Sequence, residues 1–294
     1  LRPTAVGTMK FYVSLAFLNT DELIEIARAA DELGYDGIAI PDHVVNLETL
    51  STPYPYTPDG QRRWQPFTHW PDPWVLVGAL AQVTSRVKFV TTVYIPGMRD
   101  PFSVAKAVGT AAALSGGRVE FGVGVGWCAD EFALMGQPFE RRGKRTDEML
   151  ELIRQLWQPG WTEFDGEFFQ APRLEMEPTP PRIPIYVGGL SEIALRRAAR
   201  NDGWIGDLIT TDQAVSAATR VREIRIENGL STEGFEILTP LADAYLPEHF
   251  ERAEQAGITG NVTMPWMFYA GPQATTAEKI DGMKRFRKDL RLDG

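Results

Sequence analysis

Short apolar runs alternate with stretches in which apolar residues recur every three or four positions, and this alternation repeats eight times along the chain. Residues 11–15 read as a first strand. Residues 21–33 read as the helix after it, with Leu23, Ile26, Ala27 and Ala30 on one face and Gly34 placed to end it. Residues 37–40 form a second strand that runs into Pro41, Asp42 and His43. Asp72 and Pro73 suit a helix start, with Trp74, Val77, Leu80 and Ala81 as its buried stripe. A third strand spans 88–95, β-branched through its middle. Pro101 opens a helix that turns Val104, Val108, Ala111 and Ala112 inward and closes at Gly116 and Gly117. A fourth strand at 119–125 and a helix at 145–157 follow, then a fifth strand at 183–187 and a helix at 191–200. The sixth strand, 204–209, leads into a capping box of Thr210 and Gln213. The seventh, 237–241, leads into a short helix from Pro247. The eighth, 261–264, leads into a second capping box, Thr275 and Glu278, and a helix lined by Ile280, Met283, Phe286 and Leu290.

Eight strand–helix units in series predict a parallel sheet covered by helices. The count matches a closed (β/α)8 TIM barrel with inserted loop segments, and a doubly wound open sheet is the alternative. One domain over 9–294 accommodates the pattern, and residues 1–8, ahead of Met9, read as an extension or expression remnant. Two insertions break the rhythm, at about 44–70 and 158–182. The first carries Pro53, Pro55, Pro58 and Pro66 among Tyr54, Tyr56, Trp64, Phe67 and Trp70. Its aromatic content argues for order, and in a barrel it emerges on the catalytic face. The second holds Asp165 and Gly166 between short apolar runs, which is a hairpin signal. That hairpin fits either a cover on the barrel side or a substrate-facing element.

Hydrophobic residues at 44% and charged residues at 23% are ordinary for a globular chain. Thirty Lys and Arg against 39 Asp and Glu give a net charge of −9 with no basic cluster, which argues against a nucleic-acid partner. A single cysteine excludes a disulfide framework and a Cys-rich zinc site. No apolar run approaches the roughly 18 residues of a membrane span, and no signal-peptide pattern is visible, so a cytoplasmic protein without a membrane partner is expected.

His43, His69 and His249 show no metal-ligand spacing, and no metal is expected. Serine-hydrolase and P-loop motifs are missing. Asp42 and His43 end the second strand, where a barrel directs residues at its active site; a His beside a carboxylate can move a proton near neutral pH. The alternative is a capping Asp and a hydrogen-bonded loop His. Gly122, Gly124 and Gly126 before Trp127 let a flat or phosphorylated ligand approach the fourth strand's end, or simply fit a strand of small residues. Gly188, Gly189 and Ser191 open a helix whose free N–H groups favour a phosphate, or form a plain capped turn. Cys128 reads as a packing residue, and Arg141, Arg142 and Lys144 as a solvated helix start or a phosphate contact.

These residues, taken in order, resemble the luciferase-like monooxygenase superfamily, and within it the branch of coenzyme F420-dependent oxidoreductases. The resemblance runs from Met9 through nearly the whole chain. It is carried by Pro41-Asp42-His43-Val44, Asp72-Pro73-Trp74-Val75, Thr91 to Pro96, Arg99-Asp100-Pro101, Leu114 to Val119, Gly122 to Trp127 with Asp130-Glu131-Phe132, Arg141-Arg142, Thr146-Asp147-Glu148, and Tyr186-Val187-Gly188-Gly189. It implies a (β/α)8 barrel holding F420, or alternatively FMN, at its C-terminal mouth. It also implies a non-prolyl cis peptide supporting the ring, at Thr92-Val93 or next to it. Gly124, Gly126, Gly188 and Gly189 would then approach the cofactor tail, with Ser191 near its phosphate, Trp127 beside it and His43 as the catalytic histidine. F420-dependent sugar-phosphate dehydrogenases carry a Glu just after the fourth-strand glycines. This chain has Trp127 there, which counts against a sugar phosphate. With Trp64 and Trp70 roofing the pocket, the implied reaction is hydride transfer between F420 and a small, largely apolar substrate. An FMN-dependent monooxygenase and a non-catalytic binding barrel are the alternatives, and a homodimer is expected.

Overall fold

A computed structural model describes residues 8–291, so the proposed N-terminal extension lies, except for Thr8, outside the described residues. The barrel strands are β1 (Lys10–Ser14), β2 (Gly37–Ile40), β3 (Lys88–Thr91), β4 (Val119–Val123), β7 (Ile185–Gly188), β8 (Gly203–Ile205), β9 (Glu236–Thr239) and β10 (Gly260–Thr263). They close in the order β1-β10-β9-β8-β7-β4-β3-β2, every pair parallel. The closed order is the TIM barrel and excludes the open sheet.

The helices are α1 (Leu23–Glu32), α2 (Pro73–Ala81), α3 (Pro101–Leu114), α4 (Ala129–Leu134), α5 (Arg142–Leu156), α6 (Glu192–Ala199), α7 (Thr211–Glu227), α8 (Pro247–Gln255) and α9 (Thr276–Asp289). Their starts follow local chemistry. Asp72 accepts from the N–H groups of Trp74 and Val75 at 2.9 and 3.0 Å, and both capping boxes form. No described helix is long and apolar enough to cross a membrane.

Inside the barrel, Tyr12 and Tyr186 pack with Ala39, Val90, Ile205, Leu238 and Val262. Space for the two rings comes from glycine: a Cβ at Gly37 would stand 2.4 Å from the Tyr12 ring, and one at Gly203 2.6 Å from the Tyr186 ring. The Tyr12 hydroxyl donates to Glu120 at 2.9 Å, and Lys88 pairs with the same carboxylate at 3.0 Å. Burial, helped by Glu120, pushes the Tyr12 phenol well above its ordinary range, so it remains a donor. Nearby, Lys10 and Glu236 form a second pair at 2.5 Å. Charge and tyrosine thus fill the barrel toward the starts of its strands and leave chemistry to the other end.

Several strands stop earlier than their apolar runs. The third ends at Thr91 rather than 95, because the chain leaves the sheet at the cis Thr92–Val93 peptide; Tyr94 rejoins by one bridge to Val123. The sixth barrel strand ends at Ile205, and Ile209 rejoins by a bridge to Leu241. The short helix α4 has too few turns to show a period, and the sequence pattern passes over it.

The second insertion contains the hairpin β5 (Thr162–Asp165) and β6 (Gln170–Leu174). Glu148 on α5 accepts from the N–H groups of Glu167, Phe168 and Phe169 at 2.9, 2.7 and 2.8 Å. The turn is therefore docked on the outer helical layer, which favours the cover over the substrate-facing element. Glu148→Ala should loosen this turn by about 1–3 kcal/mol. Amide exchange at 166–169 should then accelerate while the barrel strands keep their protection; unchanged exchange at the turn would remove Glu148 from this role.

Candidate functional site

Asp42 and His43 lie just past the end of β2, two and three residues beyond Ile40. Asp42 and His43 diverge. The Asp42 side chain is fully buried and grips Arg99 through two bonds, at 2.7 and 2.8 Å, while accepting from the Ile95 N–H at 3.0 Å. Arg99 also lies over the Tyr94 ring, 4.2 Å from its centroid. Burial pushes the Asp42 carboxyl up, against the pull of Arg99. Arg99, despite burial, is held above its ordinary range by Asp42. The expectation that Asp42 assists His43 is corrected accordingly: its oxygens are committed to the segment that follows β3, and it acts as an anchor there.

The partner of His43 is Glu131, in the first turn of α4. Its Oε2 lies 2.9 Å from His43 Nδ1, and its Oε1 accepts from the N–H groups of Val44 and Val45 at 3.0 and 3.4 Å. Burial raises this carboxyl, but the His43 ring and the two amides outweigh it and hold Glu131 below its usual range. An ionised carboxylate only accepts, so His43 Nδ1 carries the hydrogen and Nε2 is left for other work. Beside it, Asp130 accepts from Ser51 N and Oγ at 3.1 and 2.7 Å. Two adjacent acids thus tie the start of the long loop to α4.

The loop then crosses the mouth. Arg63 makes a two-pronged pair with Asp207, beyond β8, at 2.8 Å on each side. His69 Nδ1 accepts from Thr20 N at 3.0 Å, in the loop before α1. Between these ties the aromatic side chains converge on His43. Trp64 lies 4.7 Å, Trp70 4.9 Å and Trp127 6.3 Å from its ring, centroid to centroid. Tyr54 packs edge-on against Trp64 and Trp127 at 5.4 and 5.1 Å. Burial, then the nearby Asp207, push the Tyr54 phenol up to about 12. His43 is thereby walled by Trp64, Trp70 and Trp127.

The glycines have a more immediate reason than ligand approach. A Cβ on Gly124 would sit 2.7 Å from Val93 Cγ2, and one on Gly188 2.8 Å from Val93 Cγ1. Both make room for the Val93 side chain, which packs on the barrel interior just past Thr92. Gly126 has a φ of 81°, and its Cβ would meet Phe132 and Ile95. Gly189 has a φ of 124°, and its Cβ would come within 2.8 Å of Ala194. A side chain there would perturb the backbone itself. The Gly189 carbonyl accepts from Trp204 Nε1 at 2.8 Å. Ser191 caps α6 by accepting from Ala194 N at 3.3 Å, so the plain capped turn is present.

Arg142 does not stand free in solvent: its Nε donates to the Gly126 carbonyl at 2.8 Å and its guanidinium stacks on Phe139. Cys128 is buried, and burial raises its thiol. Among the described residues, no group of three or more His, Cys, Asp or Glu is arranged to hold a metal ion. Sequence reasoning did not nominate Glu131, Arg99, Arg63 or Asp207. Glu131 and Arg99 stood inside quoted motifs, but their partners are distant in the chain.

A family model described as luciferase-like monooxygenase matches residues 7–256. An uncharacterised protein of Mycobacterium tuberculosis is 39% identical over 85% of this chain and 87% of its own length. An F420-dependent glucose-6-phosphate dehydrogenase of Gordonia bronchialis is 31% identical over 66% of this chain and 55% of its own. Among solved structures, an F420-dependent secondary alcohol dehydrogenase in complex with an F420-acetone adduct superposes with a TM-score of 0.75 at 19% identity, over 97% of this chain and 99% of its own. The oxygenating constituent of a Pseudomonas putida 3,6-diketocamphane monooxygenase, in complex with FMN, gives 0.63 at 17% identity, over 97% and 81%. The two superpositions speak to the fold alone.

The lowered Glu131 carboxyl sets a pH dependence. Its contribution to stability is full above the usual glutamate range and is lost as pH falls through the lowered folded-state value. Glu131→Gln should cost about 1–3 kcal/mol in urea unfolding at neutral pH. It should also flatten the acid limb of stability relative to the parent protein. Identical acid limbs in the two proteins would show that Glu131 is not the group responsible.

Proposed function

We propose, from the premise that this chain belongs to the luciferase-like monooxygenase family, that it is an oxidoreductase using coenzyme F420 to exchange hydride with a small, largely apolar organic substrate. The observation that carries the reading is His43, fixed through Nδ1 by a buried carboxylate and enclosed by three tryptophans at the barrel mouth. The F420-dependent relative from Gordonia bronchialis supports the cofactor.

The residues present fit a flat cofactor. Val93 offers a small apolar surface, seated in space that Cβ atoms on Gly124 and Gly188 would fill. Thr92, Val93, Gly124, Gly126 and Trp127 would hold the ring side, and Gly188, Gly189 and Ser191 the phosphate side. The first turn of α6 carries Glu192, whose charge is offset by Arg196 and Arg220 at 2.6 and 2.8 Å. When bound, the deazaflavin supplies or accepts a hydride. His43 Nε2 takes the proton from a substrate hydroxyl, or returns it to a carbonyl oxygen, while Glu131 stabilises the charged ring. The tryptophans keep water from the reacting atoms. Trp127 puts an apolar surface where a sugar-phosphate enzyme carries an acid, so a sugar phosphate is not the substrate we infer.

The same apolar mouth would serve an FMN-dependent monooxygenase, and the FMN-bound fold neighbour keeps that reading in view. A barrel that only binds ligand would have no use for a carboxylate-held histidine, and it is the least supported.

Titration with F420 and FMN, followed by cofactor fluorescence, should show the tighter binding for F420. Preference for FMN, or binding of neither, refutes the lead. His43→Ala should lower kcat by about 10²–10⁴ with cofactor affinity nearly intact; an unchanged rate would return His43 to a structural part.

A further inference from the structure

We propose that Arg142, the first residue of α5, is a positioning residue for His43: it fixes the short helix that carries Glu131 and so holds the histidine as its Nδ1–H tautomer, with Nε2 free. The inference rests on the role given to His43 above and adds to it a residue that acts through its neighbours.

Glu131 needs such support. It lies on α4, a helix of six residues, and a helix that short is not stable without packing. The side-chain hydrogen bonds of Asp130 and Glu131 run to His43 and to the long loop. They tie α4 to the very parts that it has to place, so its own position must come from elsewhere. Glu131 and Phe132 are its two buried residues, and Phe132 is the apolar one. The Phe132 ring is set between two glycines. A Cβ on Gly126 would come 2.6 Å from it, and one on Gly97 3.5 Å.

Arg142 closes these contacts into a ring. Its guanidinium stacks on Phe139, 3.8 Å from the centroid. Phe139 packs edge-on against Phe132 at 5.4 Å, and Phe132 abuts Gly126. The Gly126 carbonyl in turn accepts from Arg142 Nε at 2.8 Å. One guanidinium therefore sets the residue after Glu131 through its face and the residue before Trp127 through its N–H. Arg145, three residues on, secures the other glycine: its Nη1 donates to the Gly97 carbonyl at 2.6 Å. Among the described residues Arg142 pairs with no carboxylate, and burial pulls its guanidinium below the ordinary range. It neutralises no charge, so its contribution is the geometry of its two neighbours. A planar guanidinium can stack and donate at once, whereas a lysine ammonium is a point donor on a flexible stem.

The test uses the full chain without cofactor, its three histidines labelled with the heavy nitrogen isotope, at a pH where the His43 ring is neutral. The resonances of the two ring nitrogens report which one carries the hydrogen, and His43→Ala identifies them. Wild-type His43 should be held as Nδ1–H. Arg142→Met keeps a stem for packing and removes every side-chain N–H. In it the ratio of Nδ1–H to Nε2–H should fall by about tenfold or more, the worth of a hydrogen bond to a charged group. Arg142→Lys should show the same fall, and it carries the test if Arg142→Met does not fold. Arg154→Met, at the far end of α5, should keep the wild-type tautomer even where it lowers the melting temperature. An unchanged ratio in either folded Arg142 variant overturns the proposal. So does an equal fall in Arg154→Met, which would make the effect a general loosening of α5. A wild-type ring that is not held as Nδ1–H also overturns it. Because no cofactor is needed, this outcome is separate from the titration with F420 and FMN. A fall in the ratio in a protein that binds neither cofactor refutes the redox reading and leaves Arg142 its role; F420 binding with an unchanged ratio does the reverse.

Discussion

A single buried carboxylate organises the mouth of this barrel. Glu131 accepts from the His43 ring and from the amides of Val44 and Val45, so one side chain orients the histidine and launches the loop that covers it. The loop holds no helix or strand between β2 and α2, and ordering it costs backbone entropy at every residue. Prolines reduce that cost by restricting the unfolded chain. Ties at Asp130, Asp207 and Thr20 bring the loop against α4 and two other loops of the mouth. Loss of Glu131 would leave the histidine without its hydrogen bond and the loop without its first anchor, while the barrel below would keep its core.

That independence follows from how the barrel is filled. Toward the strand starts, Tyr12, Tyr186, Glu120 and Lys88 form a hydrogen-bonded plug, with glycines opposite the rings. Toward the strand ends the filling changes to Val93 over Gly124 and Gly188. Asp42 and Arg99 then brace the segment carrying Val93 from behind, through Ile95. Breaking a buried pair of this kind typically costs about 3–5 kcal/mol, because the remaining charge has no partner. The support beneath the site and the loop above it are thus held by different residues.

Much of the fold was legible because its signals are local. The Thr210 and Thr275 capping boxes, the Asp72 cap and the apolar stripes of the helices depend on residues a few positions apart, and they formed as the sequence predicts. The site was legible in its aromatic and histidine members and illegible in its acids. Asp42 adjoins His43 in sequence, yet its oxygens bind Arg99 while the His43 ring binds Glu131. Glu131 is 88 residues from His43 and becomes its partner only when α4 swings over β2. The glycines illustrate a different limit. The sequence offers close ligand approach, a strand of small residues or a capped turn for them; in the structure Val93 stands opposite Gly124 and Gly188, and a short sequence window does not identify a neighbour across the barrel.

The apolar enclosure and the acid–base pair reinforce each other. Coulombic attraction between Glu131 and a charged His43 strengthens as water is removed, and Trp64, Trp70 and Trp127 remove it. Within that apolar enclosure the buried carboxylate supplies His43 with its hydrogen-bond acceptor. Glu131 in turn retains its own charge through the two loop amides as well as the ring. A polar substrate would compete for those bonds and bring water with it. A substrate with one oxygen and an apolar body would leave them intact. The apolar enclosure around His43 thus accords with the kind of substrate proposed for it.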